Sequence, residues 1–149
     1  MNVLLINGPN LNMLGLRDHS LYGTMNTDDI VKEIRAWSIE LGVHLDYHQS
    51  NDEGGLVDHI QSVTSSSDGI IINPGALTHY GLSLRDALLD ARLPVIEVHI
   101  SNIHSREEYR RRSVITSLSI GQVAGLGWNG YIYALEAMVE HLNSCLLYT

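Results

Sequence analysis

Short apolar runs alternate along the chain with stretches whose apolar residues recur at helical spacing. Val3–Ile6 reads as a buried strand that stops at Asn7-Gly8-Pro9. A loop rich in glycine and polar residues follows from Asn10 to about Asn26. Thr27 then suits a helix N-cap, with Asp28 and Asp29 in the first turn, and Ile30, Ile34, Trp37 and Leu41 supply one apolar stripe up to a stop at Gly42. Val43, Leu45 and Tyr47 alternate with polar residues as a half-exposed strand does. Ser50 to Gly55 reads as a turn, and Leu56, Ile60 and Val63 mark a second helix. Gly69–Asn73 is apolar enough for a strand buried on both faces. Leu84, Leu88 and Ala91 place a third helix. Pro94–His99 and Gln122–Leu126 read as two more strands, and Tyr131–Leu142 as a closing helix.

Strands alternating with helices predict an α/β fold whose five-stranded parallel sheet is covered on both sides. Right-handed crossovers then give a doubly wound sandwich, flavodoxin-like in strand order. A chain of 149 residues suits a single domain over 1–149. A net charge of −8 repels nucleic acid and anionic membranes, so neither is an expected partner. Cys145 is a single thiol without an internal partner, which fits a reducing compartment. Val3–Ile6 is too short for a signal peptide, and no run suits a membrane span; a soluble, cytoplasmic protein is expected.

In such sheets ligands bind beyond the carboxyl ends of the strands. The polar clusters fall there three times: at Asn7–Asn10, at Asn73 through Thr78 to His79, and at Glu97 through His99 to Asn102. Asn, Gly and Pro favour any turn, but the added Glu97, His79 and His99 favour a site. The single lysine, Lys32, lies in the first helix, which argues against Schiff-base chemistry. Neither common glycine-rich phosphate loop follows the first strand. The spacings match no zinc motif, and His99 and His104 read as unmetallated histidines. Arg106 and Arg110 stand four apart, as on one side of a helical turn, and would suit an anionic substrate through guanidinium–carboxylate forks. Arg111 and Arg112 read as solvated charge. Two rivals stay open on the residues alone: a non-enzymatic flavodoxin-like binding or signalling domain, and a hydrolase using His79 or His99 with a metal.

Three motifs in order carry a resemblance. Asn7-Gly8-Pro9-Asn10-Leu11-Asn12-Met13-Leu14-Gly15 with Arg17 and Tyr22-Gly23 resembles the opening signature of type II 3-dehydroquinate dehydratases. Asn73-Pro74-Gly75-Ala76, Thr78-His79 and Leu84-Arg85-Asp86-Ala87 resemble the second, and Glu97–Asn102 with Arg106 and Arg110 the third. The resemblance implies a homododecamer of four trimers and an anti elimination of water from 3-dehydroquinate through an enolate, with no metal or organic cofactor, in the shikimate pathway or in quinate breakdown. It implies Tyr22 as base, Arg17 as the cation that favours the Tyr22 anion, and His99 as acid. Asn10 would hold a water near the enolate oxygen, and Glu97 would orient its neighbours. Asn73, His79, the Ile100 and Ser101 backbone and Arg110 would bind the substrate, and Asp86 would reach in from an adjacent subunit.

A free tyrosine titrates near pH ~10, so a base working near neutrality needs its anion favoured by about 3–4 kcal/mol. A close guanidinium in a water-poor pocket is a fitting source. The chain departs from the expected pattern at His19, Asp52, Gly55, His59 and Leu77, none of them a proposed catalytic group.

Overall fold

Every inner strand is apolar at consecutive positions, and the sheet uses both faces. In the computed structural model, β1 (Asn2–Asn7), β2 (His44–Gln49), β3 (Gly69–Asn73), β4 (Val95–His99) and β5 (Gly121–Ala124) form one sheet in the order β2-β1-β3-β4-β5, with every pairing parallel. The structure describes residues 1–16, 18–22 and 24–147, with the Tyr22 side chain outside that description.

Successive residues of β1 point to opposite sides. Val3 and Leu5 join Ile71, Ile96 and Val98 in an apolar cluster, together with residues of α2 (Thr27–Glu40) and α5 (Asn129–Leu147). Leu4 and Ile6 join Ile70, Ile72 and Val95 on the other face, against α3 (Glu53–Val63) and α4 (Leu82–Ala91). A fully buried Leu or Ile stabilises by roughly 1.5–3 kcal/mol relative to exposure, so these two layers dominate the folding energy. Their two-sided burial also fixes strand register, because a slip by one residue would exchange the layers.

Helix boundaries follow local chemistry. Asn26, not Thr27, caps α2: its side chain accepts from Asp29 N at 2.9 Å, while Thr27 Oγ1 instead donates to the carbonyl of Leu11. The hydroxyl found a tertiary acceptor, so the cap moved back one residue. Gly42, at φ 70, ends that helical segment in the left-handed region, as expected of a glycine stop. Asp52 caps α3 by accepting from Gly55 N at 2.9 Å. The departures at Asp52 and Gly55 thus form one cap. His59 on α3 stacks on His48 of β2, with ring centroids 3.8 Å apart. A short helical turn, α1 (His19–Tyr22), stands in the long loop after β1.

Candidate active site

The carboxyl ends of β1 and β3 are welded together. Gly8 N donates to the Asn73 carbonyl at 2.8 Å, and a Cβ on Gly8 would lie 2.4 Å from the Pro74 oxygen. A Cβ on Gly75, at φ 59, would in turn lie 2.9 Å from the Pro9 oxygen. Only residues without a side chain let the two loops abut in this way. Asn10 follows at φ 68, its backbone N donating to Asn51 Oδ1 at 3.0 Å. A non-glycine residue in that region usually carries a functional or packing reason.

A fully buried tyrosine ties the same strand ends to α5. Tyr131 Oη donates to Asn7 Oδ1 at 2.8 Å and accepts from Asn73 Nδ2 at 2.8 Å. Burial pushes its phenol far above the ordinary range, so it serves as a neutral donor and acceptor. Asn73 Oδ1 accepts from Gly75 N at 3.1 Å, which leaves one amide proton of Asn73 for a ligand.

Above these strand ends opens a cleft enclosing about 570 Å³, partly continuous with solvent. Asn10, Asn73, His79, His99, Ser101, Arg106 and Arg110 supply its polar lining. At its floor, Glu97 is wholly buried, yet its carboxyl is held down at about 2. Burial alone would raise it; the hydrogen bonds from His99, Thr116 and Thr78 overcome that. His99 Nε2 donates to Glu97 Oε1 at 2.6 Å. The neutral ring therefore carries its proton on Nε2, and Nδ1 is the nitrogen left for other partners. His79 has the opposite tautomer, because its Nδ1 donates to the Arg112 carbonyl at 2.6 Å and leaves Nε2 free to accept.

Arg106 and Arg110 do not share a helical face. The segment breaks into two 3-10 turns, Ile103–Ser105 and Glu108–Arg110, and Arg106 between them is extended. Asn102 caps the first turn by accepting from His104 N, which interrupts any longer helix. The two guanidiniums still meet at the cleft, each with Nε near Glu107 Oε2, at 3.7 Å for Arg106 and 3.2 Å for Arg110. Among the described residues, no three His, Cys, Asp or Glu side chains gather as a metal cluster. No described helix is long and apolar enough to cross a membrane.

A buried Glu–His pair under a cleft of amides, imidazole and guanidinium has a counterpart among known families. The family model of class II dehydroquinases matches residues 1–139. The chain belongs to the class II dehydroquinase family. A relative from Halothermothrix orenii named 3-dehydroquinate dehydratase is 55% identical over 138 residues, covering 93% of each chain. Another of that name, from Thermotoga maritima, is 50% identical over 143 residues, covering 96% of this chain and 98% of the relative. The crystal structure of a type II dehydroquinase from Butyrivibrio crossotus superposes with a TM-score of 0.90 at 44% identity, over 93% of this chain and 97% of that one.

In this class II dehydroquinase family member, the fold gathers most residues that the sequence marks. Asn10, Asn73, His79, His99, Ser101 and Arg110 share the cleft, with Glu97 beneath. Ile100 is buried beside it and accepts from Gly127 N, and Asp86 lies exposed on α4; neither lines the cleft. Arg17, Gly23 and the Tyr22 side chain lie outside the described residues. Sequence reasoning passed over Ser113, Thr116 and Tyr131. Their signal was weak, since a hydroxyl or phenol distant in sequence reveals nothing about its partner.

Proposed function

We propose that this chain is a 3-dehydroquinate dehydratase, a hydro-lyase that needs no metal or organic cofactor. Tyr22, as its anion, takes a proton from the carbon beside the substrate ketone. The electron pair enters the carbonyl to form an enolate, which re-forms the ketone and expels the hydroxyl on the opposite face. His99, acting as the doubly protonated imidazolium, gives that hydroxyl a proton from Nδ1 and is left as the neutral ring protonated on Nε2, and water departs. The proton taken up by Tyr22 returns through water to His99 before the next turnover. The observation that carries this reading is the buried Glu97–His99 pair, whose free ring nitrogen belongs to a residue lining the cleft. The Glu97 anion holds the ring by its Nε2 proton and so aims Nδ1 at the cleft, and a positioned acid of this kind contributes about 10²–10⁴ in rate. Arg110, His79, Ser101 and Asn73 would engage the substrate carboxylate and hydroxyls, and Asn10 a water at the enolate oxygen.

Arg17 would favour the Tyr22 anion and close over the bound substrate. Asp86, exposed on α4, would serve a neighbouring copy in a dodecamer of four trimers, and light scattering on the purified chain reads that assembly. Cytoplasmic aromatic biosynthesis and quinate breakdown both have use for the reaction. Mixing the purified chain with 3-dehydroquinate and following the conjugated enone by ultraviolet absorbance is the direct test. Tyr22→Phe and Arg17→Ala should each cut turnover severely while the fold persists. Near-normal rates in both would refute the assignment. Borohydride added with substrate should leave the enzyme active, because no imine forms.

A further inference from the structure

The Glu97 carboxylate is surrounded by hydroxyls as well as by His99. Ser113 Oγ lies 2.8 Å from Oε1 and 3.0 Å from Oε2; Thr78 Oγ1 donates to Oε1 and Thr116 Oγ1 to Oε2. The direction of these bonds is forced by what occupies the far side of each oxygen. Ser113 Oγ already accepts from the backbone N of Ile115 and of Thr116, both at 3.0 Å. A hydroxyl has two lone pairs and one proton, so Ser113 can only donate further, and its proton goes to the Glu97 anion at 2.8 Å in preference to the neutral Thr78 hydroxyl at 2.9 Å. Thr116 Oγ1 accepts from Gln122 Nε2 at 2.9 Å, and Gln122 Oε1 faces His104 Nε2 at 3.1 Å. The ionised carboxylate can only accept, so the Thr116 proton points to Glu97, and the Thr116 oxygen is left to accept from the Gln122 amide.

His99 is the titratable group hydrogen-bonded to the Glu97 carboxylate, while the segments that supply Thr78, Ser113 and Thr116 bring hydroxyls. His79, Arg106 and Arg110 line the cleft with His99.

We propose that Ser113 and Thr116 are positioning residues for the dehydration, clamping Glu97 as an acceptor so that His99 keeps its Nε2 proton and offers Nδ1 to the substrate. The proposal rests on the dehydratase reading for its catalytic consequence, though not for the clamp itself. Neither residue lines the cleft, so their loss should lower kcat with little change in KM.

The test is nuclear magnetic resonance on the full-length chain with ¹⁵N-labelled histidine and ¹³C-carboxyl-labelled glutamate, beside steady-state rates. In the native protein, His99 should show the Nε2-protonated neutral tautomer and Glu97 should stay ionised in moderate acid. Thr116→Val should move the Glu97 midpoint upward by about one pH unit and lower kcat, because a hydrogen bond to an anion is lost. Thr116→Ser should restore both. Gln122→Leu, on the half-buried β5, should give a smaller shift in the same direction and serves if the valine variant does not fold. A neutral His99 that carries its single proton on Nδ1 instead of Nε2 in the native protein, or a Glu97 midpoint unmoved in the variants whatever their melting temperature, overturns the proposal. A native protein that shows the expected resonances but leaves 3-dehydroquinate unchanged would instead overturn the dehydratase assignment.

Discussion

Replacing Glu97 by glutamine removes the charge but keeps the shape, and the structure sets what that should do to stability. In the native fold the carboxyl is held at about 2, against 4.5 for the free group. A depressed folded value means the contribution is complete above about 4.5 and is lost as pH falls toward about 2. The difference corresponds to about 3 kcal/mol at neutral pH, and about 2 kcal/mol of it is gone by pH ~3. The residue is wholly buried, so solvent screening does not reduce the figure further. Urea unfolding of native protein and Glu97→Gln, at one protein concentration and several pH values, reads the effect. The native protein should be the more stable at pH 7, and its advantage should shrink by about 2 kcal/mol at pH 3, or roughly 1 M in midpoint. Other carboxylates titrate in both proteins, so the difference isolates this one. An advantage unchanged from pH 7 to pH 3 would show that the buried carboxylate is not held ionised by its donors.

Further expectations follow from neighbouring contacts. Tyr131→Phe leaves Asn7 Oδ1 and one Asn73 N–H unpaired, so stability should fall by about 1–3 kcal/mol and KM should rise; unchanged thermal unfolding would count against the bridge. Asn10→Gly relieves a left-handed backbone and should hold or raise stability by up to ~1 kcal/mol while cutting turnover, and an unaltered rate would remove Asn10 from the chemistry. Asp52→Ala deletes the α3 cap and should cost about 1 kcal/mol, seen as a melting point lower by roughly 2–5 °C, with activity retained.

The sheet was readable because its inner strands carry apolar residues on both faces, and a parallel core demands that pattern. Gly69–Asn73 matches the expected strand at both ends, while the fifth strand starts one residue earlier and stops two sooner than expected. That Asn10, Asn73, His79 and His99 would share one cleft was legible, because strand ends in this architecture converge. Arg106 and Arg110 line one cleft, but the geometric reason for expecting them together fails: the Asn102 cap and an extended Arg106 replace the helical turn. Ser113 and Thr116 could not be found, since each lies at least 16 residues from Glu97 and only the tertiary fold turns their hydroxyls to it. The Asn7–Tyr131–Asn73 bridge is hidden for the same reason, spanning 124 and 58 positions.

The reciprocal abutment of Gly8 on Pro74 and Gly75 on Pro9 makes two loops from separate strands a single mechanical part. Neither can be lengthened, shortened or exchanged with a homologue's alone, because the other's backbone already fills the space. Anyone transplanting this catalytic rim onto another scaffold must therefore move both segments together, with the paired strands that set their spacing.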